Sequence, residues 1–244
     1  MIFYDIMKIE VSVVNEKINN VKKNNKKMII SFIINILLSI MTVNAIIMSV
    51  TGFKFMYGYE PYPELIGVPI FSYYTVQSNV FMGIVSFVFA NREYQILRGR
   101  KKEIPLIYYI FKMVATVAVS LTFFVVFAIF GFMSKGGHIP LLRNSYLFFH
   151  LIIPVISILN YVIFEKTDII KFKYIFYGLL PTFLYEIYYT INILMNMKNG
   201  AVSVQNDWYS FAQNGILRTV LVAPMMLGIT FCLSLVIWKL NKKK

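Results

Sequence analysis

Six apolar runs, each near the roughly 20 residues a helix needs to cross a bilayer, recur along this chain of 244 residues. They cover about Met28 to Val50, Ser72 to Ala90, Tyr109 to Phe132, Asn144 to Phe164, Tyr174 to Met195 and Ile216 to Leu240. No stretch alternates apolar and polar residues at every second position, as the strands of a membrane barrel do. The expected class is therefore all-α. Charged residues make up only 14% of the chain and apolar ones 58%, against about a quarter charged in soluble domains. The pattern predicts a polytopic membrane protein, a bundle of six transmembrane helices.

The connectors orient that bundle. The N-terminal segment, the second and fourth connectors and the C-terminal end carry eighteen Lys and Arg, and the first, third and fifth connectors carry four. Positive residues stay on the cytoplasmic side, so both termini are expected there. The same rule accounts for the net charge of +13 without a nucleic-acid partner. Residues 1–27 form a basic, partly amphipathic segment, or equally a frayed solvated tail. Residues 28–240 are the membrane domain and 241–244 a basic cytoplasmic tail. Lys112, near the cytoplasmic end of the third run, is expected to snorkel to the interface. His138 is expected to be solvated, and Trp208 and Tyr209 to sit in an interfacial belt. The single cysteine, Cys232, permits no intrachain disulfide, and two histidines are too few for a metal site.

Polar residues inside the runs carry the functional signal. On a helix, residues three and four apart share a face, so Ser72, Thr75, Asn79 and Ser86 line one side of the second run. Such groups are costly to expose to lipid and must face protein. Ser31, Asn35, Ser39 and Thr42 form a like stripe on the first run, and His150, Ser157 and Tyr161 on the fourth. The fifth adds Thr182, Tyr185, Glu186 and Tyr189. At about 1.5 Å per residue, Thr75 falls roughly 5 Å and His150 roughly 9 Å below the outer boundary.

A hydroxyl and an imidazole in one leaflet suit nucleophilic attack, because a neutral imidazole can take the hydroxyl proton and return it to a leaving group. Asn79 is placed to donate to an oxyanion, and Glu186 or a tyrosine to orient the imidazole. Ser72, Ser157 and Tyr185 complete the polar lining. The plain alternatives are that Thr75 bonds its own backbone or a neighbouring helix, and that Glu186 couples protons in a transporter or is a hydrogen-bonded neutral acid.

Tyr74 Thr75 Val76 Gln77 Ser78 Asn79, followed in a later run by His150 Leu151 Ile152 Ile153 Pro154, resembles the motifs of prokaryotic six-helix relatives of the androgen-induced membrane hydrolases. Eukaryotic members of that family are intramembrane threonine hydrolases of fatty acid esters of hydroxy fatty acids. The resemblance implies Thr75 as nucleophile, His150 as its partner and a lipid acyl ester as substrate, with no cofactor. It departs at Asn160, where prokaryotic relatives often carry an Asp, and in the Thr-to-Asn spacing, which is four residues here and three in the eukaryotic motif. Two other functions stay open: a carrier or binding module for a small apolar molecule, using Asn35, His150 and Glu186, and a structural subunit whose stripes only pack helices.

Overall fold

A computed structural model describes residues 2–57, 67–133, 138–203, 205–212 and 216–242, with the side chains of 2–24, 68, 133, 139, 140 and 216–220 outside that description. The turn-forming Gly58, Pro61, Pro63, Gly136 and Gly137 lie outside the described residues, as do the side chains that would make the N-terminal segment amphipathic.

Each predicted run is a helix. α1 is Ile2–Thr51 and α2 is Tyr74–Leu97. α3 covers 106–133, with a π-turn at Val126–Phe130. α4 is Ser145–Ile163, with a π-turn at Phe148–Ile152. α5 is Leu180–Asn196 and α6 is Ile216–Asn241. Four of the six, α1, α3, α4 and α6, are long and apolar enough to cross a membrane. Polar residues dilute α2, and α5 is only 17 residues long. The chain reaches α5 through a 3-10 stretch, Phe172–Leu179; Pro181, in the first turn, marks where the α-helix proper begins. α1 runs unbroken through the boundary expected at residue 27, with a length of about 75 Å for its 50 residues.

Burial follows helical spacing. On α1, Ser31, Asn35, Leu38, Thr42 and Ala45 are buried, while Ile29, Ile33, Leu37, Ile40 and Ile47 are exposed. Phe176, Leu180, Phe183, Ile187 and Ile191 form a similar exposed apolar stripe on and before α5. Stripes of this kind suit lipid and would be a liability in water. α3 differs: every residue from Lys112 to Thr122 is buried. It is the central helix, packed by α2, α4, α5 and α6, and its Ala, Val, Ser and Thr side chains are small enough for neighbours to approach on all sides.

α1 and α2 come close together at Gly83. Ser39 Oγ donates to the Gly83 carbonyl at 2.9 Å, and a Cβ at position 83 would lie 2.9 Å from Thr42 Cβ. At Gly228, on α6, a Cβ would meet nothing within 4 Å. Gly83→Leu is therefore expected to force the two helices apart and lower stability by about 1–3 kcal/mol, whereas Gly228→Ala leaves it unchanged. Thermal unfolding of both variants in detergent checks this.

Candidate functional site

Pro154 sets the geometry around the predicted pair. In the π-turn of α4, Ile153 N–H donates to the Phe148 carbonyl five residues back. In that register the next acceptor, Phe149 O, faces Pro154, which has no N–H to give. Asn79 supplies the donor from α2: its Nδ2 bonds Phe149 O at 3.1 Å and Thr75 O at 2.7 Å. Asn79 is thus a strut between two helices, and its amide is not free for the oxyanion role expected of it. Its Oδ1 is buried without a partner.

His150 is 7% exposed and stacks on Tyr146, with centroids 5.2 Å apart and planes within 2°. Its Nδ1 lies 2.6 Å from the Leu141 carbonyl. A carbonyl only accepts, so Nδ1 carries the proton and Nε2 presents the lone pair. The orienting group is therefore this carbonyl, and not Glu186 or a tyrosine as expected. Thr75, in the first turn of α2, lies beside the Tyr209 side chain. The Tyr209 hydroxyl also accepts the Tyr74 N–H at 3.1 Å; burial pushes its pKa up and keeps it neutral. α2 and α4 run in the same direction and meet at Asn79 and Phe149. Thr75 then sits about 6 Å to one side of that contact along the axis and His150 about 1.5 Å to the other. The two are thus about 7.5 Å apart along the axis, more than one helical turn, and form no hydrogen bond with each other.

The expected supporting residues separate. Tyr185 OH donates to the Ser72 carbonyl at 2.9 Å and accepts from Trp208 Nε1 at 2.9 Å. Trp208 and Tyr209 pack on Tyr73, Tyr185 and Tyr189, so they close over the start of α2 and the middle of α5. Asp207 holds that cover by accepting from Tyr189 OH and from the backbone of Phe211 and Ala212. Glu186 is half-buried near Tyr74. Ser157 is fully buried with its hydroxyl unpartnered. His138 is not a free loop residue. Its Nε2 lies 2.9 Å from the Phe127 carbonyl, its ring stacks on Phe127, and only glycine at 131 leaves it room.

A second polar site occupies the opposite end of the bundle, where α1 to α4 converge. Lys112 is 0% exposed, which corrects the snorkelling expectation: its ammonium lies among protein groups. Nζ donates to Asn35 Oδ1 and to Ser86 Oγ at 2.9 Å, and lies 3.5 Å from Glu165 Oε1. That same carboxylate oxygen accepts from Asn35 Nδ2 at 2.8 Å, Asn160 Nδ2 at 2.7 Å and Ser31 Oγ at 3.2 Å. Asn35 Nδ2 also reaches Glu93 Oε2 at 3.1 Å. The acid that Asn160 does not provide thus comes from Glu165, five residues on. Glu93 and Glu165 fall just outside the apolar runs and carry no signal in the sequence pattern of those runs. The signal that would have found them is depth: they lie just past Ala90 and Phe164, level with Ser31, Asn35 and Lys112.

Removing one partner of a buried ion pair strands the other, at a cost of about 3–5 kcal/mol, whereas replacing both is far milder. Lys112→Met is expected to destabilise the protein by that amount, and Lys112→Met with Glu165→Gln to recover most of the loss; unfolding in detergent measures both. In the comparisons with known proteins, no family model, no curated protein and no solved structure matches this chain.

Proposed function

We propose that this protein is a six-span integral protein of a bacterial cell membrane, both termini cytoplasmic, that hydrolyses an acyl ester of a lipid. Thr75 is the nucleophile and His150 the base. The observation that carries this reading is the bond from His150 Nδ1 to Leu141 O. It fixes the tautomer whose Nε2 accepts a proton, the task a carboxylate performs for histidine in hydrolytic triads. The Asn79 strut supports it too, by joining the helices that carry the two residues.

Thr75 lies beside the Tyr209 side chain, and the reading requires its hydroxyl to turn toward His150 when substrate enters. Thr75 Oγ then attacks the acyl carbon while its proton passes to His150 Nε2. The ester C–O bond breaks, and the departing alcohol takes that proton. Water, deprotonated by the same nitrogen, attacks the acyl-threonine, releases the fatty acid and restores the hydroxyl. No cofactor enters the sequence of steps.

A carrier for a small apolar molecule is the second reading, favoured by the buried ionic site, since ionisable groups kept within a membrane bundle often serve transport. The two separate experimentally. For the hydrolase, a fluorophosphonate probe labels the wild type, Thr75→Ala abolishes labelling, and His150→Ala slows acyl-ester turnover by about 100-fold or more. Labelling that persists in Thr75→Ala removes the nucleophile assignment. Substrate counterflow in vesicles without a covalent adduct supports the carrier.

A further inference from the structure

We propose that the buried site formed by Glu93, Lys112 and Glu165 binds one exchangeable proton, which makes it a neutral three-residue unit. This inference does not rest on the hydrolase reading and stands under either function.

Two observations carry it. The first is charge. Two carboxyl groups and one ammonium are 2%, 4% and 0% exposed, and a net negative charge there would be far from solvent in a low-dielectric bundle. Among the described residues, the groups that face the site give no second cation: Ser31 and Asn35 from α1, Ser86 from α2, Tyr109 from α3, and Asn160 and Tyr161 from α4. From α6, Asn241 donates its amide only to the Tyr161 and Glu165 carbonyls. The second observation is a shortage of donors. Glu165 Oε2 and Asn160 Oδ1 are buried acceptors with no donor, although Asn160 faces the site through its Nδ2 bond to Glu165. All three protons of Lys112 are already directed at Asn35, Ser86 and Glu165. A protonated carboxyl is a donor where a carboxylate only accepts, so one proton corrects the charge and the donor deficit together. Asn35 Nδ2 donates to both acids and links them as a pair able to share it.

Infrared spectroscopy of the protein in lipid nanodiscs at neutral pH tests this through the C=O stretch of protonated carboxyls. All measurements use a Glu186→Gln background, which removes the half-buried acid near Tyr74. The expected band corresponds to one carboxyl in that parent, none after Glu165→Gln, where Lys112 balances Glu93 alone, and two after Lys112→Met. Absence of the band in the parent overturns the proposal even if the further variants fail to fold, because it shows both acids ionised. A parent band that is unchanged by Glu165→Gln also overturns it. A rise in Tm with sodium but not potassium, lost in Glu165→Gln, identifies a metal cation in place of the proton and likewise overturns it.

Discussion

A single ammonium buried among four helices is the constraint on which the architecture turns. Lys112 cannot reach water, so it must be met by partners, and those partners come at once from α1, α2 and the bend just after α4. Asn35 is the hinge of the network, accepting from the lysine with one end of its amide and donating to Glu93 and Glu165 with the other. Burying such groups is a poor route to raw stability, since apolar residues of equal volume often do as well. It is a strong specifier of arrangement, because any slip in register leaves an unpaired charge. The polar end of the bundle therefore fixes how the first four helices stand, and through them where α2 and α4 meet further along.

At that meeting point the same logic works with backbone groups. Pro154 deprives Phe149 O of a donor, and Asn79 replaces it from the neighbouring helix. In α3, the π-turn at Val126–Phe130 presents the Phe127 carbonyl to His138. Each histidine thus ties a loop or turn to a helix: His138 to α3, and His150 to the Leu141 turn that precedes α4. For His150 the tether also sets the ring's chemistry, because holding the proton on Nδ1 leaves Nε2 as the basic nitrogen. The structure thus holds the His150 imidazole in a fixed orientation, and sets an aromatic cover, built on Asp207 and the tyrosines of α5, over the first turn of α2.

Much of this was legible along the chain, for reasons that vary by residue. Thr75, Asn79 and His150 stand out because they interrupt otherwise apolar helices, and rise per residue puts Thr75 and His150 in the same leaflet. Lys112 reads as snorkelling, and Glu93 and Glu165 draw no notice, because charges near the end of a run are by default solvated. The default failed because α3 is surrounded on all sides, and a central helix has no interface for its lysine to reach. The role of Asn79 was misjudged for another reason: the orphan carbonyl it serves is created by a π-turn on a different helix, which no local pattern announces.

The chain by itself determined the class, the six helices and which faces they hide, since apolar run length and three-to-four spacing are local properties. Tertiary structure alone decided which helix is central, which acids meet the buried lysine, and which backbone carbonyl orients the His150 ring. Those outcomes depend on partners between nine and 134 residues apart in sequence, and a hydrogen bond or ion pair exists only once packing has brought both halves together.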